Sequence, residues 1–169
     1  MSLETAKVSI SKAFNEFAKT FDEMEIDFMG GEPLMEFPLI KSIAEWVWSN
    51  EWPIPYVLFA TTNGTLLQGD IKDWFLEHKD HFVLSLSCDG APHSQDSNRA
   101  HSSEKIDIPF FAKTWPYQPV KMTVSPNTID TLCEDTIYIH QQGIEHIAAN
   151  LAFGEKWDKK HLTVYKEQL

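Results

Sequence analysis

Glu25-Ile26-Asp27-Phe28-Met29-Gly30-Gly31-Glu32-Pro33 is the stretch whose reading decides the fold. Its first five residues alternate in the manner of a β-strand, and the strand runs directly into two glycines, an acid and a proline. Proline suits the first turn of a helix, where its missing N–H costs nothing. Beyond it, Ile40, Ile43, Ala44, Val47 and Trp48 recur at helical spacing. Strand, tight turn and helix in succession are the repeating unit of a parallel α/β protein.

The same unit recurs on the downstream side. Upstream, Phe14, Phe17 and Phe21 fall at i, i+3 and i+7 and give an opening helix one apolar face. Downstream, Pro53 and Pro55 stop the helix, and residues 56–60, 82–86 and 120–124 are short apolar runs. Such runs suit parallel strands covered on both faces. Ile71, Trp74 and Phe75 mark a short intervening helix. Leu132, Thr136, Ile139 and His140 mark another, closed by Gly143. Residues 91–103 read as a polar loop, 106–115 carry little signal, and 144–153 read as the last strand. The charged tail over 154–169 reads as a helix or a frayed end, and residues 1–3 as an expression leader or native sequence. The alternation implies about five parallel strands joined by right-handed crossovers.

Composition narrows the function classes. The chain has 169 residues, 43% of them apolar, enough for one globular domain with a sizeable core. Lysine and arginine number 14 against 25 acids, a net charge of −11. That balance repels phosphate backbones and anionic lipid, so neither nucleic acid nor membrane is an expected partner. No apolar run approaches the roughly 20 residues that span a bilayer, and no secretory signal opens the chain. Asn63-Gly64-Thr65 therefore reads as a turn rather than a glycosylation acceptor, and a cytoplasmic location is the expectation. Cys88 and Cys133 form neither a short-spaced pair nor a disulfide framework.

Ligands of parallel α/β folds bind at the carboxyl ends of the strands. There this chain places Gly30-Gly31-Glu32-Pro33, Thr62-Asn63-Gly64-Thr65, Ser87-Cys88-Asp89-Gly90 and Ser125-Pro126-Asn127. Turns use many of these residues for their own geometry. Glu32 and Asp89, however, are carboxylates that turn chemistry does not demand, and they suit an ammonium and a ribose. A Cβ at Gly30 or Gly31 would keep a ligand off the backbone. The helix start beyond them would attract phosphate, but Glu32 would repel it. A ligand carrying its own cation fits better. His78 and His81 read as a helix end rather than a metal pair. Trp46, Trp48 and Trp74 read as helix–sheet contacts, and Cys88 as a small buried hydrophobe.

These residues resemble a known family. Met29-Gly30-Gly31-Glu32-Pro33-Leu34 is similar to the signature turn of radical S-adenosylmethionine (radical SAM) enzymes, which binds the methionine amino group. Thr62-Asn63-Gly64-Thr65, Ser87-Cys88-Asp89-Gly90, Arg99 and residues 120–127 follow in that family's order, and the branch most resembled is the SPASM type, which matures sulfatases and peptides. The resemblance implies a partial (β/α) barrel with S-adenosylmethionine as cofactor. It implies that Gly30, Gly31 and Glu32 hold the amino group, with Pro33 shaping the turn. Ser87 and Asp89 would then line the ribose, Arg99 would clamp the carboxylate, and Asn63 would be a further candidate. An intact member cleaves S-adenosylmethionine reductively to a 5′-deoxyadenosyl radical that modifies a peptide or protein.

One departure is large. The family's [4Fe–4S] cluster sits on a CxxxCxxC loop, and two distant cysteines cannot replace it. The resemblance thus implies a single shortened core domain, lacking the first strand and cluster loop and inactive by itself, since a full barrel takes about 250 residues. The sheet edge exposed by that loss would favour self-association. The alternatives are a cluster-less binding or regulatory module and an unrelated α/β nucleotide-binding protein. The latter lacks both a GxGxxG and a GxxxxGK[ST] motif.

Overall fold

A computed structural model of the chain describes residues 1–168. Helix α1 (Leu3–Phe17) opens it, capped by the Ser2 hydroxyl, which accepts from Thr5 N–H at 3.1 Å. Strand β1 (Met24–Asp27) follows, then a 3₁₀ turn (Pro33–Glu36), α2 (Phe37–Trp48), β2 (Tyr56–Thr62) and α3 (Gly69–Glu77). Next come β3 (Phe82–Leu86), α4 (Pro92–Asn98), a 3₁₀ turn (Ser103–Lys105) and α5 (Ile108–Thr114). Then β4 (Val120–Val124), a 3₁₀ turn (Ile129–Thr131), α6 (Leu132–Gln141), β5 (Ile147–Leu151) and α7 (Lys159–Gln168) complete the order.

The strands make a three-stranded parallel sheet, β1-β2-β3, and a two-stranded one, β4-β5. Ile26 lies opposite Leu58 in the first, and Met122 opposite Ala149 in the second. One parallel bridge from Ser87 to Lys121 continues beyond β3, where Cys88 N–H donates to Lys121 O at 3.0 Å. The expected α/β class with five parallel strands is therefore the observed one. No helix among the described residues is long and apolar enough to cross a membrane.

The chain divides into two compact units. The first comprises Met1–Thr62 and Gln68–Val83. Its core is the apolar stripe of α2 (Ile40, Ile43, Ala44, Val47) with Leu58 and Ala60 of β2 and an aromatic cluster around Phe75 and Phe82. The second unit comprises Asn63–Leu67 and the chain from Leu84 onward. Val120, Met122 and Val124 alternate inward along β4 there, joined by Phe111 and Ile139.

Four expectations need correction. The opening phenylalanines do not share one buried face. Phe14 is 1% exposed, stacked on Trp52 with centroids 4.2 Å apart, whereas Phe17 is 47% exposed at the helix end and Phe21 lies beyond it. Pro33 starts a 3₁₀ turn, and the α-helix begins only at Phe37, with Pro38 in its first turn. Residues 91–103 are not a loop. They hold α4, whose inward positions Ser94 and Gln95 are polar, so the helix has no apolar stripe to read. The last strand is confined to Ile147–Leu151.

Truncating the buried ring should therefore cost far more than truncating its neighbour. Phe14→Ala is expected to lower unfolding stability by about 3–5 kcal/mol. Phe17→Ala should cost less than about 1 kcal/mol, both read from denaturant midpoints.

Candidate functional site

After β1 the backbone makes one more sheet bond, from Phe28 N–H to Phe59 O at 2.8 Å, and then leaves the sheet. Glu32 is extended (φ −142°, ψ 108°) and caps the 3₁₀ turn, its Oε1 accepting from Leu34 N–H at 3.0 Å. The same oxygen accepts from the Thr62 hydroxyl at 2.8 Å. Pro33 is buried as the first residue of that turn. The helix start and the end of β2 thus orient the carboxylate between them, before any ligand arrives.

Gly30 and Gly31 meet no internal demand. Neither has a positive φ, and a Cβ on either would touch nothing within 4 Å. Gly64 and Gly90 differ. Both are left-handed (φ 75° and 129°), and a Cβ at Gly90 would collide with the Asp135 carboxylate. Glycine at 64 and 90 is explained by packing, whereas glycine at 30 and 31 is explained by nothing among the described residues. Beside them opens a cavity of about 680 Å³, walled by apolar side chains such as Ile26, Phe28 and Ile40. Its charged side chains are all acidic: Asp27, Glu32 and Glu36. Burial holds the Asp27 carboxyl above its ordinary value. Such a lining suits an apolar ligand with a cationic centre and disfavours phosphate.

The other sequence candidates lie in the second unit, and two of them bind each other. Arg99 Nε donates to Asp89 Oδ2 and Nη2 to Asp89 Oδ1, each at 2.8 Å, a bidentate pair. Thr123 N–H adds a third bond to Asp89 Oδ1 at 2.8 Å. The Asp89 side chain is 1% exposed and that of Arg99 25%. Asp89 therefore spends its acceptors on the protein, while Arg99 keeps Nη1 unengaged by the described residues. That guanidinium lines a cavity of about 500 Å³ with Asn63, Thr65, Ser102 and Lys105. Two cations there suit an anionic group. Ala100 and His101, which follow Arg99, both take the left-handed conformation (φ 48° and 54°), rare for residues with a Cβ.

Asn63 serves its own turn, Oδ1 accepting from Thr65 N–H at 3.0 Å and the Thr65 hydroxyl at 2.8 Å. Ser87 is half-buried at the bridge to Lys121. Cys88 is buried, as expected, and its Sγ–H donates to Gly90 O at 3.7 Å. Cys133 is exposed, and among the described residues no three His, Cys, Asp or Glu side chains converge as metal ligands. These residues do not fit a [4Fe–4S] cluster. His78 stacks on Trp48 at 4.8 Å and Trp74 at 4.6 Å, a packing role. Sequence reasoning missed the Thr62 hydroxyl and the Thr123 N–H as partners of the two carboxylates, because threonine at a strand end is common and any residue at 123 other than proline has that N–H.

No family model matches the sequence, and no curated protein does. Solved structures match it well. Native anSMEcpe with bound AdoMet has a TM-score of 0.80 at 17% identity, covering 98% of this chain and 49% of that one. The same protein with bound AdoMet and Kp18Cys peptide gives 0.78 at 17% identity, with 96% and 49% covered. Its histidine-tagged form with bound AdoMet gives 0.73 at 20%, with 96% and 48% covered. That protein is an anaerobic sulfatase-maturating enzyme, a radical SAM enzyme of the SPASM type. This chain has part of the radical SAM fold. It spans about half the length of the structures it matches. At such identities the likeness to the radical SAM fold concerns backbone architecture, and the roles of individual residues rest on the geometry above.

The two thiols should behave differently. Burial, the largest influence, pushes the Cys88 thiol up from its ordinary 9.0 to about 11. The neutral form is favoured in the folded state, so its contribution to stability is full below about pH 9 and is lost as pH rises through about 11. In native protein at neutral pH a thiol reagent is expected to label Cys133 rapidly and Cys88 only upon unfolding, as counted by mass spectrometry. Equal labelling of both would contradict the burial.

Proposed function

We propose that this chain binds S-adenosylmethionine, as the ligand-binding portion of a radical SAM enzyme that modifies a peptide or protein. The observation that carries this reading is the Gly30-Gly31 backbone, open without internal reason beside a cavity whose charged side chains are all carboxylates. S-adenosylmethionine carries an ammonium and a sulfonium, and Gly30, Gly31 and the fixed Glu32 carboxylate supply acceptors for the ammonium. Separately, the second unit offers Arg99 Nη1 and Lys105, at a cavity of its own, as donors for a carboxylate. Asp89 acts by holding Arg99 rather than by touching ribose; Ser87 and Asn63 are the remaining polar groups proposed for the nucleoside. Support for the cofactor and the peptide comes from the fold neighbours, which were solved with AdoMet and with peptides.

Reductive cleavage requires an electron from an iron–sulfur cluster, and a chain with two cysteines does not supply its three thiolates. Our reading is that these residues bind and orient the cofactor without cleaving it. Calorimetric titration tests the binding. Wild type should bind S-adenosylmethionine measurably. Glu32→Gln, which keeps an acceptor for Leu34 and Thr62 but removes the charge, should bind about tenfold or more weakly, the worth of one charged hydrogen bond. Gly31→Ala should leave stability within about 0.5 kcal/mol of wild type yet weaken binding. Equal affinity across the three proteins would remove the amino-group site.

A further inference from the structure

We propose that Asp135, which no sequence motif marks, is the positioning residue of the Asp89–Arg99 clamp. Resting on the reading that Arg99 takes the ligand carboxylate, this inference concerns how that guanidinium is aimed. Asp135 lies in α6 and is 2% exposed. Oδ1 accepts from Ala91 N–H at 2.8 Å; Oδ2 accepts from the Ser94 hydroxyl at 2.6 Å and the Thr131 hydroxyl at 2.8 Å. The side chain occupies the space where Gly90 would carry a Cβ, so it presses directly on the residue after Asp89.

From there the restraint passes to the clamp by short steps. Gln95 follows Ser94, and its Oε1 accepts from Asp89 N–H at 2.8 Å while its Nε2 donates to Ser102 Oγ at 2.8 Å. Arg99 ends the same helix, its N–H donating to Gln95 O at 2.8 Å. The turn and α4 therefore form a closed loop: Asp89 begins it, Arg99 ends it, and their side chains join across it. Asp135 pins this loop from another helix at both Ala91 and Ser94.

Stability alone does not call for this arrangement. A buried carboxylate with neutral donors and, among the described residues, no cationic partner is a costly way to fill a core position. What it supplies is direction. Two acceptor bonds to separate points of that turn, with a third that anchors Asp135 to Thr131 ahead of its own helix, fix the orientation of Asp89, and through Asp89 that of Arg99 Nη1.

The test uses the full chain with Asp135→Asn and, as a milder variant, Ser94→Ala. Hydrogen exchange at Arg99 Nε–H, followed by ¹⁵N NMR, reports the clamp without any ligand. Exchange is expected to quicken by about tenfold or more in Asp135→Asn, and by less in Ser94→Ala, relative to the Met122 and Val124 amides of β4. If Arg99 exchange changes only in step with those amides, or not at all, Asp135 is merely structural and the proposal falls. Ligand affinity supplies a second readout. The preference for S-adenosylmethionine over its decarboxylated analogue should shrink in both variants. A wild type with no such preference, but with Arg99 exchange responding as expected, would overturn the carboxylate reading and leave the positioning role standing.

Discussion

One carboxylate oxygen, Glu32 Oε1, receives both the first free N–H of the helix start and the hydroxyl that ends the neighbouring strand. A helix leaves its first donors unpaired, and an acidic side chain just ahead of it is a favourable partner. Here that local cap is tied to the adjacent parallel strand through Thr62, so the turn cannot rotate without breaking a bond to the sheet. The stretch between sheet and cap, Met29 to Gly31, is then held at both ends while remaining open along its length. Openness under restraint suits the binding proposed for this turn, because a floppy turn would lose conformational freedom on closing around a ligand.

The second unit solves the opposite problem. A guanidinium partly removed from water needs a paired anion, and a buried anion needs its remaining lone pairs filled. Asp89 meets both needs by taking two bonds from Arg99 and one from Thr123 N–H. The left-handed Ala100 and His101 turn the chain away immediately afterwards, which keeps the guanidinium at a cavity wall instead of within a helix face. Backbone strain at this position is the kind that accompanies a functional side chain. Each unit thus carries its own chemistry, carboxylate acceptors in the first and cationic donors in the second.

Much of this was legible in the sequence, for reasons that differ by element. β3 and β4 were bounded correctly because each is a short run of apolar and β-branched residues flanked by turn formers. α2 was readable because its buried positions are apolar at helical spacing. α4 was not, since its inward residues are Ser94 and Gln95, whose partners are met only after folding. Glu32 and Arg99 stood out as candidates by their motif positions, but the bonds that fix their side chains join residues thirty and ten positions apart. Periodicity carries no information about such pairings. Asp89 shows the cost of that limit: it reads from the sequence as a ribose partner, and its side chain is bonded to Arg99.

We propose above that the Gly30-Gly31-Glu32 turn takes the amino group of a cationic, adenosyl-bearing ligand. The most direct measurement is a pair of calorimetric titrations of the unaltered chain, one with S-adenosylmethionine and one with its analogue lacking the α-amino group. The analogue is expected to bind about tenfold or more weakly, as loss of a charged hydrogen bond implies. Equal affinities, or no binding of either, would contradict it.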